Sequence, residues 1–159
     1  MVGFAVAFAT AQDGSSTVAR KRTTEKHYAV FISHSSRDRW IARQISQEIE
    51  TKGRKWGIRT FLDERDIKGG DSIPDTIRTE IRDCDEFLVL LSRYSVDRTW
   101  VLLEIGAAWE IEKRIVAILD KVSPHELPDV LVPYKAIDLN GFGEYVKELL
   151  QRARRDELT

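Results

Sequence analysis

Phe87-Leu88-Val89-Leu90-Leu91 is apolar at every position. A strand with one face in water alternates apolar and polar residues, so an unbroken short run marks a central strand buried on both faces, the habit of parallel sheets covered by helices. Toward the amino terminus, Ser72 stands before Ile73-Pro74 as an N-cap with proline in the first turn, and Ile73, Ile77 and Ile81 mark the buried stripe of a helix. Before it come a polar loop, Asp63 to Asp71, and a short strand, Arg59-Thr60-Phe61-Leu62. Earlier still, Ile41, Ile45, Glu48 and Ile49 recur at helical spacing until Gly53 closes the helix. The first strand is Tyr28-Ala29-Val30-Phe31-Ile32, which runs into the turn Ser33-His34-Ser35-Ser36.

Toward the carboxyl terminus, a loop from Ser92 ends at Thr99, placed to cap a helix from Trp100 to about Lys113. Ile115-Val116-Ala117-Ile118-Leu119 is a fourth strand. A connection from Ser123 to Pro133 leads to a short fifth strand, Lys135 to Leu139, and an amphipathic helix, Glu144 to Arg155. Strands alternating with helices define the α/β class. Right-handed crossovers then give a flavodoxin-like, open, doubly wound, five-stranded parallel sheet of order 2-1-3-4-5 with helices on both faces.

The 159 residues are 42% hydrophobic and 32% charged, enough to bury the core of one domain, read here as residues 27–159. With 25 Lys plus Arg against 26 Asp plus Glu the net charge is -1, which supplies no field for a polyanion, so no nucleic-acid partner is expected. Cys84 alone makes neither an internal disulfide nor a thiolate metal site, and a cytoplasmic location is expected. No run reaches the roughly 20 apolar residues of a membrane span. Met1 to Ala11 is apolar and ends Ala9-Thr10-Ala11, like a signal-peptide cleavage site, yet it is short and no basic residue precedes it. Gln12 to Lys26 is polar and turn-prone, and residues 1–26 read as a flexible lead-in, with Arg20-Lys21-Arg22 as solvated charge.

Ligands of open α/β sheets bind beyond the carboxyl ends of the strands where strand order reverses, here between the first and third strands. The loops Ser33–Asp38 and Ser92–Trp100 flank that crevice, together with the long loop after the second strand. Trp100 and Glu104 stand four apart at the start of the following helix and share a face tilted toward its amino end. The stripe around Glu104 otherwise holds Trp100, Ala107, Ala108 and Ile111. An acid among apolar groups is paired or functional, the plainer reading being a glutamate favoured by the helix amino terminus.

The loop Asp63-Glu64-Arg65-Asp66-Ile67-Lys68-Gly69-Gly70-Asp71 is either a flap or partner surface or a solvated turn, and it lacks the calcium-loop pattern. Ser33-His34-Ser35-Ser36 holds adjacent rather than convergent groups and no Gly-x-Ser-x-Gly elbow, so serine hydrolysis is not indicated. Ser35 and Ser36 fit instead a phosphate or ribose. Neither Walker A nor Gly-x-Gly-x-x-Gly is present, and Ser92 stands where a response-regulator receiver carries its phosphoacceptor aspartate.

Over about residues 27 to 155 the sequence resembles a Toll/interleukin receptor homology (TIR) domain. The resemblance rests on Tyr28-Ala29-Val30-Phe31-Ile32-Ser33-His34, on Phe61-Leu62-Asp63 with Ile67-Lys68-Gly69-Gly70 in what the family calls the BB loop, on Leu90-Leu91-Ser92 with Ser95, and on Trp100 to Glu104. It implies a flavodoxin-like fold, self-association through the BB loop and, as in many members, cleavage of NAD+ between nicotinamide and ribose, with NAD+ as substrate and no cofactor or metal. By the same resemblance Glu104, the glutamate of Trp-x-x-x-Glu, is catalytic. Ser35, Ser36, Lys68, Ser92, Trp100 and Asp63 are assigned to substrate binding, and Asp66, Ile67, Gly69 and Gly70 to assembly.

The chemistry of the residues agrees. Breaking the nicotinamide–ribose bond builds positive charge on the sugar while nicotinamide leaves neutral, so no acid is needed for the leaving group. One ionised carboxylate beside the ribose orients its hydroxyls and stabilises the cation, and Trp100 is either a flat wall for a base or ribose or ordinary core packing. Capture by water gives ADP-ribose and capture by adenine a cyclic isomer. No second, sensing domain is read in the chain, so a switch by assembly, a ligand or a separate sensor or effector chain is expected. The resemblance implies bacterial anti-phage defence signalling. The alternatives are a non-catalytic TIR adaptor, a virulence factor acting through TIR–TIR contacts, and a deoxyribosyltransferase-like enzyme that prefers free nucleosides.

Overall fold

The computed structural model describes residues 27–62 and 75–158. Five strands, β1 (Ala29–Ser33), β2 (Arg59–Leu62), β3 (Glu86–Ser92), β4 (Arg114–Asp120) and β5 (Ile137–Asp138), form one parallel sheet in the order β2-β1-β3-β4-β5. Four helices, α1 (Arg39–Gly53), α2 (Asp75–Asp83), α3 (Thr99–Glu110) and α4 (Phe142–Glu157), cover it. The expected doubly wound order is the observed one.

The unbroken apolar run of β3 follows from its two faces. Leu88 and Leu90 enter a core layer with Ile45 and Ile49 of α1 and Tyr145 and Leu149 of α4. Phe87, Val89 and Leu91 enter the opposite layer with Ile77 and Ile81 of α2 and Val101, Ile105 and Ala108 of α3. Phe31 of β1 stacks on Phe87 with ring centroids 5.6 Å apart and planes 8° from parallel. The period of two in a strand thus assigns odd and even positions to different helix pairs.

Local readings differ from the structure at four places. α1 does end at Gly53, but the left-handed residue that turns the chain is Gly57, at φ 61°, after a short 3₁₀ turn. Gly53 serves a close approach instead: a Cβ there meets the Ile58 side chain at 2.6 Å. Thr99 does not cap α3; it is the helix's first residue, and Arg98 precedes it without a side-chain cap bond. β5 is only Ile137–Asp138, because the Asp138 side chain accepts from the Asn140 N–H and turns the chain at once toward α4. The inward face of α3 is Val101, Glu104, Ile105 and Ala108, and Ile111 is 43% exposed because helical backbone stops at Glu110. The expected cap Ser72 and stripe residue Ile73 lie outside the described residues.

At the amino end of the sheet Glu86 is buried and fully engaged. Its oxygens accept from Tyr28 Oη at 2.7 Å, Tyr145 Oη at 3.1 Å, and Arg152 Nε and Nη2, the latter at 3.1 Å. A buried carboxylate is tolerable only when paired and hydrogen-bonded in this way. Burial, reinforced by the neighbouring Glu86, pushes both tyrosine hydroxyls well above their ordinary range and keeps them protonated as donors.

Candidate active site

The opposite, carboxyl end of the sheet carries the polar chain terminations of its strands. β1, β3 and β4 end on Ser33, Ser92 and Asp120 after runs of apolar residues. Ala29 and Phe31 pack into the α2–α3 layer, so Ser33, two and four residues further along β1, faces the same layer. α3 presents Glu104 to that layer from its second turn. The two meet: Ser33 Oγ donates to Glu104 Oε2 between positions 71 residues apart. Glu104 is 0% exposed, and a carboxyl group so fully withdrawn from water requires such a donor.

A second buried carboxyl group lies nearby in the chain. Asp38, 3% exposed, accepts through Oδ2 from Ser92 Oγ at 2.6 Å, linking the loop after β1 to the end of β3. Burial pushes the Asp38 carboxyl above its ordinary range; Asp120 adds to the rise, while the Ser92 bond and His34 oppose it. The Ser92 hydroxyl accepts in turn from the Tyr94 N–H at 2.9 Å. Two carboxyl groups, each held by a serine hydroxyl, therefore stand at the carboxyl end of the sheet, where strand order reverses between β1 and β3. A buried, oriented carboxyl group at that end of the sheet is suited, once a bound molecule reaches it, to stabilising positive charge that develops there.

The model of the TIR domain family matches residues 30–152. The chain belongs to the TIR domain family. This TIR domain is 28% identical over 114 residues to a protein of Brachypodium distachyon named "Probable 2' cyclic ADP-D-ribose synthase BdTIR", covering 72% of this chain and 49% of the relative. It is 27% identical over 111 residues to the 2' cyclic ADP-D-ribose synthase AbTIR of Acinetobacter baumannii, covering 67% of this chain and 40% of that one. The chain spans about half the length of these curated relatives or less. Among solved structures, the TIR domains of the activated Roq1 resistosome directly recognizing the effector XopQ superpose with a TM-score of 0.54 at 19% identity, covering 79% of this chain and 98% of that one. The TIR domain of the Toll-related receptor TRR-2 of Hydra magnipapillata gives 0.54 at 20% identity, over 80% and 95% of the respective chains. These likenesses establish the fold.

Within the TIR domain the remaining expected residues fall as follows. Ser35 is buried, and its hydroxyl accepts from the Arg37 N–H at 3.3 Å as it opens a short 3₁₀ turn. Ser36 is half-buried in that turn. Trp100 is half-buried in the first turn of α3, packed against the α2–α3 layer. Ser92 is 2% exposed, its hydroxyl turned to Asp38. Asp63, Asp66, Ile67, Lys68, Gly69 and Gly70 lie outside the described residues.

Two participants escaped the sequence reading. Ser33 reads from sequence as the start of a turn, although continuing the alternation of Ala29 and Phe31 by one step puts it on the face that α3 covers. Asp38 looks like an ordinary helix cap, and nothing in its local sequence announces a partner 54 residues away. Among the described residues no group of three or more His, Cys, Asp or Glu is placed to hold a metal ion, and no helix is long and apolar enough to cross a membrane.

Proposed function

We propose that this TIR domain cleaves NAD+ at the bond between nicotinamide and ribose, with Glu104 as the catalytic carboxylate. The observation that carries the reading is Glu104 itself, a wholly buried glutamate held by Ser33 at the carboxyl end of the sheet. The names of the two relatives, a 2' cyclic ADP-D-ribose synthase and a "probable" one, support the same chemistry.

The ribose C1′–nitrogen bond breaks heterolytically, and its electron pair leaves with nicotinamide, which departs neutral. The sugar becomes an oxocarbenium ion. The Glu104 carboxylate stabilises that cation and orients the ribose hydroxyls, while Ser33 fixes its rotamer. Water adding at C1′ releases a proton and gives ADP-ribose; attack by a nucleophile within the same molecule closes a ring and gives a cyclic ADP-ribose. Ser35, Ser36, Asp63 and Lys68 are proposed to hold the substrate, with Trp100 as a flat wall; Ser92, expected from the sequence to join them, has its hydroxyl engaged by Asp38 and the Tyr94 N–H and is proposed to act through that link instead. The product serves defence against phage, by depletion of NAD+ or as a signal to a separate effector chain.

Glu104 has no solvent exposure, so substrate access requires the crevice to open. Self-association through Asp66, Ile67, Gly69 and Gly70 is the proposed trigger. A Gly70→Trp change is expected to lower both oligomer size and activity; if both stay at the wild-type level, that trigger is wrong.

The deciding experiment is chromatography of NAD+ incubated with concentrated protein, wild type beside Glu104→Ala, both verified as folded and equally assembled. Nicotinamide release by the wild type alone is expected, and the companion peak distinguishes ADP-ribose from a cyclic isomer. No release from assembled wild type, or equal release from both, overturns the assignment and favours a non-catalytic adaptor.

A further inference from the structure

The proposed chemistry uses Glu104 and leaves a second buried carboxyl group, Asp38, without a task. Asp38 stands at the N-cap position of α1, where an aspartate ordinarily accepts from an N–H of the helix's own first turn, yet its side chain makes no cap bond. It accepts instead from Ser92, at the end of β3. The chain leaving β3 is folded around that serine: Ser95 Oγ accepts from the Ser92 N–H at 2.7 Å and donates to the Leu90 carbonyl at 2.8 Å, and the Tyr94 N–H donates to Ser92 Oγ at 2.9 Å. A second contact joins the same two loops, for the Arg37 guanidinium lies 5.2 Å from the Tyr94 ring centroid.

These loops leave the carboxyl ends of β1 and β3, where strand order reverses and where the substrate is proposed to bind. One carries Ser35 and Ser36; the other runs six residues beyond Tyr94 to Trp100 and then, through the first turn of α3, to Glu104. An aspartate that forgoes capping its own helix to hold a loop from another strand spends local stability on a long-range constraint. We infer that Asp38 is a positioning residue, acting through Ser92 to set the separation between the loop of Ser35 and Ser36 and the start of α3 that carries Glu104. The inference rests on the NAD+-cleaving reading above, since it specifies what the constraint serves. It assigns Asp38 no contact with substrate.

The test measures kcat and KM for nicotinamide release, per folded molecule, in Asp38→Ala, Asp38→Asn, Ser92→Ala and the Asp38→Ala/Ser92→Ala double variant. Misplacing reacting groups by about 1 Å costs about a hundredfold, so Asp38→Ala is expected to lower kcat by about that factor with KM changed much less. Asp38→Asn keeps an acceptor for Ser92 Oγ and is expected to recover most of the loss. Ser92→Ala is expected to match Asp38→Ala, and the double variant to be no worse than either, because all break one link. If Asn is as inactive as Ala while Ser92→Ala is near wild type, Asp38 acts on substrate directly and the inference falls. It also falls if the variants lose only folded fraction and each folded molecule turns over at the wild-type rate.

Amide hydrogen exchange at Tyr94, Ser95 and the first turn of α3 provides a readout that does not need turnover. Faster exchange in Asp38→Ala is expected, and unchanged exchange at all these amides overturns the coupling. A wild type that releases no nicotinamide overturns the functional reading and with it the role assigned to Asp38; that failure is distinguished by an exchange difference that persists without activity.

Discussion

Ser33 at the end of β1 and Glu104 in the second turn of α3 share a hydrogen bond that no local stretch of the chain could have built, the two residues lying 71 positions apart. Removing the serine hydroxyl leaves a buried carboxyl group without that donor, at a cost of about 2 kcal/mol. Ser33→Ala is therefore expected to lower the urea midpoint. It should also reduce nicotinamide release about tenfold or more through a misoriented Glu104, whereas Ser33→Thr, which keeps the hydroxyl, should lie between it and the wild type.

The Asp38 carboxyl is raised by burial, so the folded protein binds its proton more tightly than the unfolded chain does. For an acid shifted upward, the stability contributed by the bound proton is fully present below the unfolded value and is lost as pH rises through the folded one. Asp38→Asn, which resembles the protonated form, should accordingly be more stable than wild type at pH 7. The two should converge in acid, below the ordinary Asp value of 3.8. Thermal melts of both proteins across this range check the sign.

Cys84 is buried, and its Sγ donates to the Ile81 carbonyl at 3.1 Å. Burial raises its thiol from 9.0 to about 11, with the nearby Lys113 opposing the rise. The thiolate fraction at pH 8 is then smaller by about a hundredfold than for an ordinary thiol of that starting value. Alkylation by iodoacetamide should be at least that slow in native protein and rapid in denaturant. Fast native labelling would show that the α2–β3 junction opens readily.

Arg152→Met strands Glu86 in the core with only the two tyrosine hydroxyls as neutral donors. Breaking a buried ion pair from one side costs about 3–5 kcal/mol, a loss that chemical denaturation should show directly. Tyr145→Phe removes one neutral hydroxyl and should cost about 1 kcal/mol. Neither residue belongs to the carboxyl-end site, so NAD+ turnover per folded molecule should stay at the wild-type level.

Gly53→Ala places a methyl group 2.6 Å from the Ile58 Cβ, inside any van der Waals contact. Overpacking of that kind costs about 1–3 kcal/mol. Gly57→Ala tests a different cause, backbone at φ 61°, and should cost about 1 kcal/mol. Equilibrium unfolding of the two variants distinguishes collision from conformation.

The sheet was legible because its strands advertise burial through composition: β3 is apolar along Phe87–Leu91 because Leu88 and Leu90 serve one helix layer and Phe87, Val89 and Leu91 the other. Strand order followed from the handedness of crossovers, a rule that holds independently of side chains. Glu104 was legible because a carboxyl group among apolar neighbours on a helix demands a reason. Its partner was not, since Ser33 reads as the first residue of a turn until the period of β1 is carried one step further. Thr99 misled for the opposite reason: capping depends on the backbone angles of one residue, and here Arg98 takes that position. Asp38 and Glu86 are the hardest cases, because each is explained by partners 54 to 66 residues away and neither is marked by its own neighbours.

Tyr28, Glu86, Tyr145 and Arg152 tie the entry to β1, the start of β3 and the last helix together at the end of the sheet away from Glu104. The Glu86 cluster and the Ser33–Glu104 pair thus stand at opposite poles of the same strands. A substitution in the rim beyond Ser33 and Ser92 is therefore expected to leave the ion pair at the far pole in place, so that damage to the rim is felt there before it is felt by the whole domain.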